Sequence, residues 1–299
     1  MDYIIENANI LKRNQITKCS FLIKDDRIAS LQFGLKHHKL IKMNAEPYIM
    51  TPTYCLLNTK IPLNGTFQEV KDYMTCTFLR KGCTTLFTYV NISFENELSE
   101  KIKDTKTALL NSPIDFIIAV KISLHQLTQT LVRKCKKEKI PALFVEIKDP
   151  SELDQIPWGW IREALFPFNC PLIPVISSTL KKEVKEVLSK WKAIMIQEKI
   201  PSLFEEIEED RPLSVNVLNK IGLYPHKASL MHGTELSYNL YLKGREIKNV
   251  DEVNLFHYHG DRLVVTVHRG KVVRSGEEVL FKPGNGEHVK VRTPSYFAL

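Results

Sequence analysis

Four polar side chains stand where apolar runs end: Asn58 and Lys60 after YIMTPTYCLL (48–57), and Glu146 and Lys148 closing PALFVEIK (141–148). Parallel βα architectures place their functional groups at the C-terminal ends of strands, so an amide, two ammoniums and a carboxylate could line a polar mouth. Within that set a Lys60–Glu146 ion pair is the expected arrangement. Signatures of stronger chemistry are missing. There is no glycine-rich phosphate loop of the G-x-G-x-x-G or G-x-x-x-x-G-K type and no G-x-S-x-G elbow, and no nucleophile stands out. Of nine histidines, only His257 and His259 are spaced H-x-H. On a strand they would share a face and could hold a metal, but no third ligand is in view, so exposed loop histidines are expected.

Around these residues lies a chain of 299 residues, 43% hydrophobic and 25% charged, long enough for one large or two smaller domains with a buried core. No apolar run approaches the length of a membrane-spanning helix, and the N-terminus does not read as a signal peptide. The six cysteines are scattered without a C-x-x-C, as expected of free thiols in a reducing cytoplasm. The formal net charge is +8. Its densest stretches, RKCKKEK (133–139) and LKKEVKEVLSKWK (180–192), carry interspersed Glu at helical spacing and read as solvated helix faces. With no zinc finger, RNP-like motif or basic glycine-rich segment, neither nucleic acid nor a membrane is an expected partner.

Residues 3–45 alternate like short antiparallel strands, with Asp25-Asp26 as a turn between two of them. From residue 62 helices alternate with apolar strands, the pattern of βα units. Strands are expected at 48–57, 83–90, 114–122, 141–147, 171–177 and, sixth, AIMI at 193–196. Helices are expected at 67–82, 94–111, 123–138, 158–166 and 180–192. Trp158-Gly159-Trp160 reads as a helix start packed on the barrel, and FEEIEED (204–210) as a solvated helix end or loop. The interval is too short for the eight units of a full barrel.

The motifs resemble those of the amidohydrolase superfamily, in its hydantoinase, dihydropyrimidinase and dihydroorotase branch. NANIL (7–11) and FLIKDDRIASL (21–31) are similar to its N-terminal strands, with Asp26 where glycine is usual. Arg80-Lys81-Gly82-Cys83-Thr84-Thr85 is similar to its second-strand motif. LNKIGLYPHKASL (218–230), RLVVTVHRGKVVRSGEEV (262–279) and GNGEHVKVRTP (284–294) resemble its closing segments. The likeness covers both ends well and the middle weakly.

The resemblance implies an α/β fold: a shortened or incomplete (β/α) barrel over 47–225, plus a small β-sandwich built from both chain ends, 1–46 and 226–299. It implies contact between the first and last strands. With five or six strands the barrel either closes at a smaller, strained size or stays open; an open sheet is favoured, with its edge capped by residues 198–212 or by a second copy of the chain. In the family the first barrel strand ends in two metal-binding histidines, and Asn58 and Lys60 stand in their places. Amide and ammonium are poor ligands, so the expected cofactor is none, and no catalytic or metal-ligating residue is assigned. The leading expectation is a degenerate, non-catalytic amidohydrolase-like protein acting in binding or assembly, as a homo-oligomer or with an intact amidohydrolase relative. The alternatives are a metal-independent enzyme or small-molecule binder using the barrel mouth, and a metal-dependent hydrolase of cyclic amides.

Overall fold

Pro52 and Thr53 divide the central apolar run between two sheets. The computed structural model describes residues 2–12, 15–32, 39–178, 180–244 and 250–294. The N-terminal strands are β1 (Tyr3–Lys12), β2 (Gln15–Lys24), β3 (Arg27–Gln32), β4 (Ile41–Asn44) and β5 (Tyr48–Pro52). The barrel begins only with β6 (Tyr54–Leu57). The single strand expected over 48–57 is therefore two. Proline has no N–H to continue a ladder, and the chain changes sheets where that donor is lost. The Thr84 hydroxyl donates to the Thr53 hydroxyl (2.6 Å), and Tyr54 N–H to Gly82 O (3.1 Å), so the new direction is held at once.

β6 is followed by α1 (Phe67–Thr77), β7 (Cys83–Asn91), α2 (Leu98–Ala108), β8 (Asp115–Ser123), α3 (Gln129–Lys137), β9 (Leu143–Ile147), α4 (Trp158–Leu165), β10 (Leu172–Ile176) and α5 (Lys181–Gln197). The five strands form one parallel sheet in the order β10-β9-β8-β7-β6. Both of its faces are covered, which is why β7 and β8 are almost continuously buried rather than alternating. Thr66 and Glu69 start α1 with a reciprocal capping box, and Gly82, at φ +74°, gives the left-handed turn into β7. The expected sixth strand, AIMI, is instead the last turn of α5. Val187, Trp191 and Met195 recur at i, i+4 and i+8 and are all buried, so the run completes a helix stripe. Trp158 packs inward at the start of α4, whereas Trp160 is exposed.

The edges of this open sheet are covered by the chain itself, largely by the segment 198–212 expected to cap it. Leu172 N–H donates to Pro201 O and Leu203 N–H to Leu172 O, both 2.9 Å, along the free edge of β10. Asp210 N–H then reaches Leu57 O (3.0 Å) and Leu213 N–H reaches Cys55 O (2.9 Å), along the free edge of β6. Residues 201–213 thus form a strap that ties one edge to the other and satisfies groups that would otherwise template aggregation. Inside the curled sheet, Leu57, Phe87, Phe144 and Ile173 pack with the strap's Leu203 and Leu213. The shortened barrel is filled by a core and has no pore.

After α6 (Val215–Lys220), the C-terminal part adds β11 (Tyr238–Leu242), α7 (Glu252–Tyr258), β12 (Leu263–His268), β13 (Lys271–Ser275) and β14 (Glu278–Val279). These join the N-terminal strands in one nine-stranded sheet, β14-β13-β12-β11-β5-β1-β2-β3, with β4 beside β1. Both chain ends build this sheet, but the expected contact of first and last strands is not a ladder contact, because β13, β12, β11 and β5 lie between β1 and β14. Two hairpin tips meet at one end of it. Asp25 and Asp26 (φ +47°, +57°) turn β2 into β3, and Arg269 and Gly270 (φ +48°, +73°) turn β12 into β13. Positive φ at both central residues matches strand twist, and short carboxamide or carboxylate side chains tolerate it. A Cβ on Gly270 would lie 2.5 Å from Asp26 Cγ. Gly270→Ala should therefore destabilise the protein by about 1–2 kcal/mol in urea unfolding, from backbone strain and this clash together.

Candidate functional site

All five barrel strands point their C-terminal ends the same way, which defines the mouth. Asn58 follows β6 and is fully buried. Its backbone N–H extends the ladder to Phe87 O (2.9 Å). Its amide nitrogen donates to Asp210 Oδ1 (2.7 Å) and the Tyr73 hydroxyl (2.8 Å), while its Oδ1 accepts Lys60 N–H (3.1 Å). The amide is fully engaged in fastening the strap to the strand. Lys60 is mostly exposed and pairs with Glu209 at 2.9 Å. Glu209 also accepts the Thr59 hydroxyl, and Glu206 accepts Ile176 N–H at 2.7 Å. Burial pushes the Glu209 carboxyl up, but the contacts with Thr59 and Lys60 prevail and hold it below the usual range. The acidic run read as a solvated end is thus the clasp across the mouth.

The expected Lys60–Glu146 pair does not form. Glu146 lies three strands from β6, roughly 14 Å across a sheet, and each charge has a nearer partner. Glu146 pairs with Lys121 at 2.8 Å, both side chains partly buried. Ser123 faces Glu146 across β8 and β9, so Lys121 is its diagonal neighbour on the same face. The Lys121 contact above all, with Lys148 exposed just beyond the strand, depresses the Glu146 carboxyl. It is therefore a weak base near neutral pH. The Ser123 hydroxyl facing it donates to Gln126 Oε1 (2.8 Å) and also lies 3.2 Å from His125 Nε2. Lys121 was the residue missed from sequence. Its signal was parity: Asp115, Ile117, Ala119 and Lys121 share one face of β8, with a charge at each end.

His257 lies in the last turn of α7 and His259 caps it, so the H-x-H pair does not share a strand face; residues two apart on a helix diverge by roughly 200°. His37 and His38 lie outside the described residues. Among the described residues, Asp115, Glu235 and His268 bring carboxylate and imidazole ligand atoms within 4.8 Å of one another. They sit at the opposite, N-terminal end of the barrel. Lys227 Nζ is 2.5 Å from Asp115 and also bonds Glu235, and Arg269 bonds Asp115 too. Two cations already fill the space that a dication would need.

No family model matches the chain, and no curated protein matches it in sequence. Solved structures do match it across nearly its whole length. A D-hydantoinase aligns over 98% of this chain and 99% of its own, with 16% identity and a TM-score of 0.60. The dihydropyrimidinase of Brevibacillus agri aligns over 98% and 99%, with 14% identity and a TM-score of 0.62. A D-hydantoinase of Thermus sp. gives 99% and 100%, 13% and 0.61. The fold is the one these hydantoinase and dihydropyrimidinase structures share. At such identities the likeness concerns architecture, and the residues at the mouth decide the chemistry.

Tested against the divalent metal that the sequence resemblance implies, those residues do not fit. The mouth's carboxylates are each engaged, Glu146 by Lys121, Glu206 by Ile176 N–H, Glu209 by Lys60 and Thr59, and Asp210 by Asn58, whose amide is also used by Tyr73 and Lys60 N–H. Zinc-like ions take three or four nitrogen, sulfur or carboxylate ligands, and neighbouring lysines repel them.

Proposed function

We propose that this chain is a degenerate amidohydrolase-like protein without hydrolytic activity, working by binding or assembly as a homo-oligomer or beside an intact amidohydrolase relative. The reading is carried by the Lys121–Glu146 ion pair, which puts a fixed positive charge at the barrel mouth where metal chemistry would need open ligands. The clasp supports it: Asn58 and Lys60 are committed to Asp210 and Glu209, residues that hold a short barrel closed.

Purified protein should open none of the hydantoin, dihydrouracil or dihydroorotate rings, with or without added zinc or manganese. Replacing Asn58 and Lys60 with histidine should not create activity, because Lys121 and Lys148 still repel a dication. Chelator-sensitive ring hydrolysis by the unmodified protein would replace this reading with a metal-dependent hydrolase of cyclic amides. Light scattering supports assembly if it finds a dimer or larger species. A strict monomer at high micromolar concentration leaves only an unlike partner.

A further inference from the structure

At the end of the barrel opposite the mouth, a cleft of about 720 Å³ opens between the β2–β3 hairpin, the segment after α6 and the C-terminal tail. The tail is fixed there because Phe116 N–H donates to Glu287 O (3.0 Å) and Val289 N–H to Phe116 O (2.9 Å). These bonds use the side of β8 that β9 leaves free before Val120. Asp115 and Lys121 are six residues apart on one strand, so the cleft lies roughly 20 Å from the mouth's ion pair.

Five cations line the cleft against one carboxylate, Glu287. Two of them form its floor and are compensated: Lys227 by Asp115 and Glu235, and Arg269 by Asp115 and Glu287 (2.8 Å). The other three, Arg27, Lys290 and Arg292, are exposed at the rim, and none forms an ion pair with a described residue. They come from two segments far apart in sequence that the fold brings to one concavity. Like charges converge there, and the cleft's own carboxylate, Glu287, is paired with Arg269. His288, on the same wall, has its imidazole depressed to about 4, by burial first and then by the nearby Lys106 and Lys290.

We propose that this cleft binds a small phosphate-bearing anion. Guanidinium groups match phosphate oxygens in a planar, two-pronged geometry, and two of the three rim cations are arginines. The volume falls within the range of small-molecule sites, and the shape is a concavity where a nucleic-acid strand would need an extended track. Leu223, Tyr224 and Pro225 supply a less polar wall against which an organic portion of the ligand would rest. The site is independent of the mouth, so its failure and the failure of the non-catalytic reading are separate results.

Calorimetric titration with inorganic pyrophosphate and, separately, with ATP at about 0.15 M salt tests the inference. Binding of both with similar affinity assigns the site to phosphate groups alone, whereas tighter ATP binding adds contacts to the organic portion. Combined Arg27→Ala, Lys290→Ala and Arg292→Ala should weaken whichever probe binds by about tenfold or more. A charge-matched control, Lys181→Ala, Lys182→Ala and Lys185→Ala on α5, should leave it unchanged. On the wild-type protein, saturating pyrophosphate should move the His288 titration upward, because a nearby anion favours the imidazolium. The inference is overturned if neither probe binds, if the control weakens binding equally, if the His288 titration stays fixed, or if only a long oligonucleotide binds.

Discussion

Asp115→Asn should destabilise the protein by roughly 3–5 kcal/mol at neutral pH, the cost of leaving buried cations without their counter-charge. Asp115 is fully buried at the start of β8 and accepts Lys227 Nζ, the Arg269 guanidinium and Glu287 N–H (2.9 Å). It ties together the barrel, the loop after α6, the β12–β13 hairpin and the tail. Asparagine keeps the shape but offers one acceptor oxygen where both carboxylate oxygens accept, so the measured loss combines the charge with a hydrogen bond. The same cluster sets a pH dependence. Burial alone would raise the Asp115 carboxyl, but His268, Lys227 and Arg269 outweigh it and hold it far below its ordinary value. A carboxyl depressed in the folded state stabilises fully above its unfolded value near 4, and that contribution drains away as pH falls toward the folded value. Urea unfolding should therefore show the largest gap between wild type and variant at pH 7 and a smaller one below about pH 3. A gap that widens in acid would contradict the assignment.

Trp191→Ala should cost a further, independent 3–5 kcal/mol or so, the usual penalty for deleting a fully buried large aromatic. Trp191 meets Trp158 edge to face at 5.9 Å, and its Nε1–H donates to Leu203 O at 2.8 Å. That bond holds the strap at the point where it joins β10. Trp191→Phe separates the two roles. It retains most of the buried volume but leaves the Leu203 carbonyl unpaired, for about 1–3 kcal/mol. Hydrogen exchange should then quicken at the strap amides Leu203, Asp210 and Leu213 before it does in the barrel strands. Uniform exchange across strap and barrel would mean that the strap does not depend on this anchor.

How much of this was legible from the amino acids follows from the range of each interaction. The four barrel strands from β7 to β10 could be read because strands buried on both faces leave unbroken apolar runs. The Asp25-Asp26 turn was readable because its geometry is local. AIMI misled because four apolar residues fit a strand or a helix end equally well, and only the buried stripe through Val187 and Trp191 decides. FEEIEED looked solvated because the groups it binds, Thr59, Lys60 and Ile176 N–H, are 30 to 150 residues away in sequence. The Lys121–Glu146 pair needs the register of β8 against β9, which periodicity does not supply. Asp115 is the extreme case. Nothing local sets it apart within the expected strand 114–122, because its partners lie 112 and 154 residues downstream.

The central claim is that fixed side-chain charge at the mouth stands where a catalytic metal would have to bind. Elemental analysis of protein purified without chelators, then dialysed against excess zinc and desalted, tests it most directly. The account predicts well under one equivalent of zinc, manganese or iron per chain, and no rise in melting temperature on adding any of them. One tightly held equivalent that is lost when Glu146 is replaced by alanine would place a metal at the mouth and contradict it.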